Sequence, residues 1–160
     1  MRVAILTVSD AGSRGERRDT SGDAIAEWVA GHGWTLSERR LVADEVAQIS
    51  AALSGWVAGD AADLVLTTGG TGLTERDVTP EATRAVLERE APGIAEAMRA
   101  AAATRFPRAM LSRGVAGTRG RTLIINLPGS PGGVRDGLAV LDPVIEHAIA
   151  LVRGNAGTHD

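Results

Sequence analysis

Leu64-Val65-Leu66-Thr67-Thr68-Gly69-Gly70-Thr71-Gly72-Leu73-Thr74-Glu75-Arg76-Asp77-Val78-Thr79-Pro80 is an apolar run of strand length that empties into a glycine-rich turn, passes an acid and reaches a helix start. Three glycines within four residues let the backbone take positive φ and approach a ligand without Cβ interference. Successive amide N–H groups in such a turn can form a nest for an anion. The local pattern reads either as a flexible strand-to-helix turn or as a backbone phosphate site. The run Thr-Thr-Gly-Gly-Thr-Gly followed by Asp-Val-Thr-Pro favours the second.

Outward from this stretch, strand and helix patterns alternate. Residues 2–8 read as a buried strand ending at Ser9-Asp10, and 11–19 as a loop. Thr20 or Ser21 caps a helix to about Ala30, with Ile25, Trp28 and Val29 on one face. Residues 35–42 suggest a second strand, and 45–58 a helix carrying Ile49, Leu53, Trp56 and Val57 at helical spacing. Trp28 and Trp56 are expected as core anchors. After the third strand, 62–68, helices are expected over 80–90 and 92–104, a hairpin over 114–127 turning at Arg119-Gly120, and a last helix over 134–152. The expected fold class is α/β: three layers, α/β/α, around a mostly parallel sheet with one antiparallel hairpin excursion. Residues 1–153 form a single domain and 154–160 a fraying tail.

Composition narrows the chemistry. The 160 residues are 44% hydrophobic and 23% charged, ordinary for a soluble globular chain. No apolar stretch approaches the roughly 20 residues of a membrane span. Residues 1–7 run straight into a strand pattern with no room for a signal peptide, so a cytoplasmic location and no membrane partner are expected. There is no Cys, which excludes disulfides and thiolate chemistry. All 17 basic residues are Arg, which excludes a P-loop lysine and a Schiff-base lysine. His32, His147 and His159 are isolated and read as surface residues. A net charge of −3 with 2% aromatics argues against a nucleic-acid partner.

In open α/β sheets ligands bind beyond the carboxyl ends of the strands. Three polar segments fall there: Ser9-Asp10, the stretch from Thr68 through Gly69, Gly70, Thr71 and Gly72 to Asp77, and Pro128-Gly129-Ser130-Pro131-Gly132-Gly133. In the last, Ser130 then Pro131 reads as helix cap then first helical residue, a second anion site beside a glycine turn. Two such sites at one edge suit ligands with several phosphates. Asp44 and Asp77, and less strongly Asp10 and Asp19, are candidate carboxylates for Mg²⁺, which takes one or two of them together with phosphate oxygens and water. Asp44 reads equally as the cap of the helix that follows it. Asp77 reads also as an acid favoured near a helix N-terminus. Arg76 is the nearest basic candidate and reads first as a solvated surface arginine.

On these segments the chain resembles the MoaB/MogA family of molybdenum cofactor biosynthesis. The resemblance spans nearly the whole length and rests on Thr7-Val8-Ser9-Asp10, Asp19-Thr20-Ser21-Gly22, residues 67–80, and Asn126-Leu127-Pro128-Gly129-Ser130-Pro131. The second of these segments and the compact length look more like the MoaB branch. The resemblance implies a molybdopterin-binding fold and adenylylation of molybdopterin by Mg·ATP with release of pyrophosphate. It implies Asp77 and Asp44 as the functional acids and metal ligands. Ser9, Asp10, Thr68, Gly69, Gly70, Thr71, Gly72, Pro128, Gly129, Ser130 and Pro131 would line the ligand cleft. It implies a homotrimer or a homohexamer, and the small apolar residues of 92–110, with Ile94, Met98, Phe106 and Met110, are the expected interface.

Three other readings compete. A MoaB-like paralogue could bind molybdopterin or a nucleotide and turn nothing over, although pure binding needs no metal-positioning acids at both Asp44 and Asp77. Nicotinamide-nucleotide deamidases of the competence-damage type carry related domains, but their activity generally lies in an additional one. A dinucleotide dehydrogenase would want Gly-x-Gly-x-x-Gly after the first strand, and it is absent.

Overall fold

The chain begins with a strand whose residues alternate between two cores, and this alternation organises the molecule. In the computed structural model, which describes residues 1–154, β1 (Arg2–Val8), β2 (Thr35–Val42), β3 (Leu64–Thr68), β4 (Arg89–Glu90), β5 (Ala116–Arg119) and β6 (Thr122–Leu127) form one sheet in the order β2-β1-β3-β6-β5-β4. β2, β1, β3 and β6 run parallel, and β5 pairs antiparallel with β6 on one side and β4 on the other. The expected α/β/α architecture with one antiparallel excursion is the one observed.

Val3, Ile5, Leu64, Leu66, Leu123 and Ile125 pack one sheet face against α2 (Thr20–Gly31), α5 (Pro92–Ala103), α6 (Pro131–Leu141) and α7 (Ile145–Arg153). Ala4, Leu6, Val8, Val65 and Ile124 face the other way, onto α3 (Val46–Ala58) and α4 (Thr79–Val86). A strand's side-chain period of two serves both faces at once, which is why β3 and β6 are buried along their whole length. No described helix is long and apolar enough to cross a membrane.

Several element boundaries differ from the sequence reading, each for a visible reason. A one-turn helix, α1 (Asp10–Ser13), opens the expected loop because the Ser9 side chain accepts from the Gly12 N–H. Asp19, not Thr20 or Ser21, caps α2 by accepting from the Gly22 N–H. Asp44 does not cap α3: the residue before that helix is Glu45, which makes no side-chain cap bond, and the Asp44 carboxylate turns elsewhere. α4 stops at Val86 because the chain turns out to pair as β4 with β5 at Gly117, where a Cβ would stand 2.3 Å from the Arg89 carbonyl. The expected last helix is two, since Pro143 has no N–H and cannot continue α6.

Trp56 is buried in the second core with its Nε1 unpartnered, whereas Trp28 is half-buried and donates its Nε1 to Asp142 at 2.6 Å. His32 and His147 are exposed. Of the tail, Gly154 closes α7 in the left-handed region; His159 and the fraying expected of 155–160 lie outside the described residues.

Candidate active site

The helices that follow β1 and β3 cover opposite faces of the sheet, and so do those that follow β3 and β6. Neighbouring parallel strands whose helices diverge leave a crevice at their carboxyl ends. β3 therefore has a crevice on each side, with its glycine turn as the wall between them. Both hold a cavity. One, about 470 Å³, lies toward β1 and is lined by Ser9, Arg17, Arg18, Asp19, Thr20, Asp44 and Pro131 among others. The second, about 650 Å³, lies toward β6 and has an apolar wall of Ala95, Met98, Ala102, Phe106 and Leu111. They share Gly70, Asp77, Gly129 and Ser130.

The turn itself explains its glycines. Gly69 has φ +94° and Gly70 φ +65°. A Cβ on Gly69 would stand 2.2 Å from the Val8 carbonyl, and one on Gly70 2.3 Å from the Thr79 hydroxyl. Gly129 brings the β6 loop within 3.3 Å of the Gly69 Cα, measured from where its own Cβ would be. Thr68 is fully buried and straps these loops together, its hydroxyl donating to the Pro128 carbonyl at 2.6 Å.

Every carbonyl of the turn is tied back into the protein. Gly69 O accepts from the Thr79 hydroxyl (2.9 Å) and Gly70 O from the Thr79 N–H (3.0 Å). Thr71 O accepts from the Arg113 N–H (2.8 Å) and Gly72 O from Arg113 Nε (2.7 Å). In a planar trans peptide the N–H points opposite to the C=O. The N–H groups of Gly70, Thr71, Gly72 and Leu73 consequently point away from those partners, and among the described residues none of the four has an acceptor. Four unspent donors in succession can serve as an anion nest. Beside it, Ser130 caps α6 by accepting from the Gly133 N–H (3.1 Å) and opens that helix's positive end toward the shared strip.

The acids stand around this nest. Asp77 spends one carboxylate oxygen, Oδ2, on the Thr74 N–H and hydroxyl, at 3.0 and 2.7 Å. Asp44 Oδ2 accepts the Asp10 N–H at 2.8 Å, and Asp10 Oδ1 accepts the Asp44 N–H at 3.0 Å, a reciprocal clasp between the ends of β1 and β2. Burial raises the Asp44 pKa above the ordinary carboxylate range, and the Asp10 and Asp77 charges push the same way against the Asp10 N–H and Arg76. A cation would relieve that penalty. Two carboxylates with unspent oxygens beside a turn of free N–H groups would suit Mg²⁺, which keeps waters and takes phosphate oxygens. Among the described residues no group of three or more His, Cys, Asp or Glu is placed to hold a metal by itself.

Asp10 is occupied differently from the sequence reading. Arg76 grips both its oxygens at 2.9 Å and also meets Glu45 at 3.1 Å, so the Asp10 pKa falls and Arg76 is an ion-paired strut rather than a free solvated cation. Neither Asp10, Arg76 nor Thr68 lines either cavity. Ser9, Gly69, Gly70, Thr71, Gly72, Pro128, Gly129, Ser130 and Pro131, with Asp44 and Asp77, all do. The sequence reading missed Arg17 and Arg18 in the polar cavity, and Arg99 and Arg108 in the apolar one. Arg17 and Arg18 sit just ahead of the Asp19 cap, where their loop position was the only local signal.

A family model described as a probable molybdopterin binding domain matches residues 4–147. The chain belongs to that family. Molybdopterin adenylyltransferase of Helicobacter pylori is 40% identical over 97% of this chain and 89% of its own length. The protein of the same name from Escherichia coli K12 is 42% identical over 86% and 72%. Among solved structures, the molybdopterin biosynthesis enzyme MoaB of Thermus thermophilus superposes with a TM-score of 0.90 at 55% identity, covering 96% of both chains. Family membership accounts for the extent of the sequence resemblance, from β1 to the start of α7.

Proposed function

We propose that this chain is a molybdopterin adenylyltransferase that joins molybdopterin and ATP across the strip shared by the two cavities. The observation that carries the reading is the row of four unspent N–H groups at the wall between two crevices, with Asp44 and Asp77 beside it. Relatives of that name at 40–42% identity support it. Each crevice takes the body of one ligand, and their phosphates meet at the nest and the α6 N-terminus.

The reaction asks little of side-chain nucleophiles. An oxygen of the pterin's terminal phosphate attacks the α-phosphorus of ATP, a new P–O–P link forms, and the bond to the β-phosphate oxygen breaks with pyrophosphate carrying the electron pair away. The nucleophile is already an anion, so the chain contributes orientation and charge stabilisation rather than a general base. Asp44 and Asp77 would hold Mg²⁺, which supplies neutralisation of phosphate charge. Arg17 and Arg108 have no partner among the described residues and are available to the anions in the two cavities.

Purified protein incubated with molybdopterin, ATP and Mg²⁺ is expected to yield adenylylated pterin and pyrophosphate. Asp77→Asn keeps an acceptor for Thr74 and so keeps the local turn, yet binds a cation poorly, and is expected to lose turnover on the order of 10²-fold or more. Near-normal turnover in that variant would remove Asp77 from the mechanism. Binding of both ligands without product would make the chain a binding paralogue instead. The working form is a homotrimer or homohexamer in a cytoplasmic setting.

A further inference from the structure

Behind the anion nest stand two residues that line neither cavity, Thr79 and Arg113. We propose that Arg113, seconded by Thr79, is a positioning residue that keeps the nest's amides presented and Asp77 in place; the proposal rests on reading the turn as the phosphate site.

A glycine-rich turn has little to hold its peptide planes, because flipping one costs a glycine few steric contacts. A flip would replace an N–H facing the anion by a carbonyl oxygen and turn attraction into repulsion. Arg113 blocks this at several points. Its own N–H holds Thr71 O, its Nε holds Gly72 O, and its Nη2 holds Asp77 O at 2.6 Å. The remaining arm of the guanidinium pairs with Glu81 on α4, which pulls the Glu81 pKa below its ordinary value. One planar fork thus spans both ends of the loop and anchors them to a helix, a geometry that a lysine's single ammonium cannot reproduce.

Thr79 does the same at the start of the turn, tying Gly69 O and Gly70 O while fully buried. It is itself held from the sheet. The Thr83 hydroxyl donates to Thr79 O (2.8 Å), and Asn126 Nδ2 donates to the hydroxyls of Thr83 (3.0 Å) and Thr67 (2.9 Å). The nest is therefore tied to Thr67 and Asn126 near the carboxyl ends of β3 and β6, two of the strands whose ends form the crevices.

The test compares the parent protein with Arg113→Lys, Arg113→Met, Thr79→Ser and Thr79→Val, measuring ATP and pyrophosphate affinity by calorimetry, kcat and KM for adenylylated pterin, and the thermal midpoint. Arg113→Lys keeps the charge but not the fork, and is expected to lose on the order of 10²-fold in kcat/KM, as small misplacements at a reacting centre do. Arg113→Met is expected to lose as much. Thr79→Val should weaken both anions while Thr79→Ser, which retains the hydroxyl, restores parental affinity. Arg113→Lys within about twofold of the parent, whether or not Arg113→Met is impaired, would overturn the positioning role, since charge alone would then suffice. If Arg113→Met fails to fold, Arg113→Lys decides alone. A parent protein that binds neither ATP nor pyrophosphate would instead overturn the phosphate reading of the turn, and this proposal with it.

Discussion

Asp44 sits where its own charge is costly, and the sign of that cost can be measured. Burial first, then the Asp10 and Asp77 charges, raise its pKa in the folded chain above the unfolded value. A carboxyl with a raised folded pKa binds its proton more tightly when folded, so the ionised group destabilises the protein above that pKa and the penalty is relieved as pH falls through it. Asp10, Asp63 and Glu81 have lowered pKa values in contact with arginines. Their contributions are full above the ordinary carboxylate range and are lost as pH falls below it through their lowered folded pKa values, as are those of Glu16, Asp23 and Asp60. Asp44→Asn is expected to leave the unfolding free energy at pH 7 unchanged or raised by less than about 1 kcal/mol given solvent screening, read as an unchanged or higher thermal midpoint, while abolishing turnover. The midpoint difference should vanish at acid pH, where Asp44 itself is neutral. A variant clearly less stable than the parent at pH 7 would show that the clasp with the Asp10 N–H outweighs the charge penalty. The glycines separate in the same way. Gly70→Ala puts a Cβ against the buried Thr79 hydroxyl at positive φ, so both folding and ligand affinity should fall, more evenly than an exposed turn would suggest. Gly72 carries no positive φ, and the nearest group to its added Cβ would be the Asp77 carboxylate, at 2.8 Å. Gly72→Ala is therefore expected to cut turnover with little change in melting, and a normal kcat in that variant would uncouple Asp77 from the turn.

At the level of the elements, caps and breaks decide where the site's groups end up. Asp19 holds the Gly22 N–H at the start of α2 and also accepts from the Thr7 hydroxyl and Arg39 at 2.8 Å. Asp19→Ala removes a cap and leaves Arg39 with Asp23 as its one carboxylate partner among the described residues, and is expected to destabilise by about 1–2 kcal/mol in a denaturant titration. Because Asp19 lines the polar cavity, Asp19→Asn, which keeps an acceptor for Gly22, separates the cap from any ligand role. An unchanged denaturation midpoint in the alanine variant would mean that Thr20 or Ser21 can cap instead. Asp44 poses the same choice between cap and site. Its position ahead of a helix looked like a cap, but α3 starts later and does without a side-chain cap, which frees Asp44 to face Asp10 and the nest. The strand–turn–helix order around residues 64–86 was readable because the apolar run, the glycines and Pro80 each act within a few residues. The end of α4 was not, because it depends on a distant strand, β5, offering Gly117 as a partner.

For the molecule as a whole, the apolar side chains left outward after folding bear on the proposed oligomer. Met98 does not contribute to it: it is 8% exposed and packs in this chain's own core between α5, α6 and β6. Ile94 is partly buried against the same core. What remains outward is Phe106, 57% exposed, and Met110, 67% exposed, in and before the 3₁₀ turn Pro107–Leu111. The interface expected over 92–110 is thus narrowed, as a proposal, to the end of that segment. Light scattering across micromolar concentrations is expected to return a multiple of the 16.5 kDa chain mass. Phe106→Asp should lower that mass with the fold retained, whereas Met98→Asp should unfold the subunit. A monomer at every concentration would sink the oligomer proposal. Phe106 also lines the apolar cavity, so its replacement is expected to weaken ligand binding along with assembly.

Short-range physics alone writes much of this chain: the order of its main strand and helix patterns, the glycine turn after β3, the Ser130-Pro131 start of α6, and the family resemblance through those segments. It also brings Asp44 and Asp77 forward as acids near strand ends. Their company is a matter of tertiary packing. Asp10 and Arg76, 66 residues apart, neutralise one another and leave the cavities, while Arg113, 41 residues from Gly72, comes to hold the turn. The two crevices exist because helices on opposite faces diverge on either side of β3. Such contacts join groups that share no local period, cap or turn signal, and they are set by the order in which the strands pack.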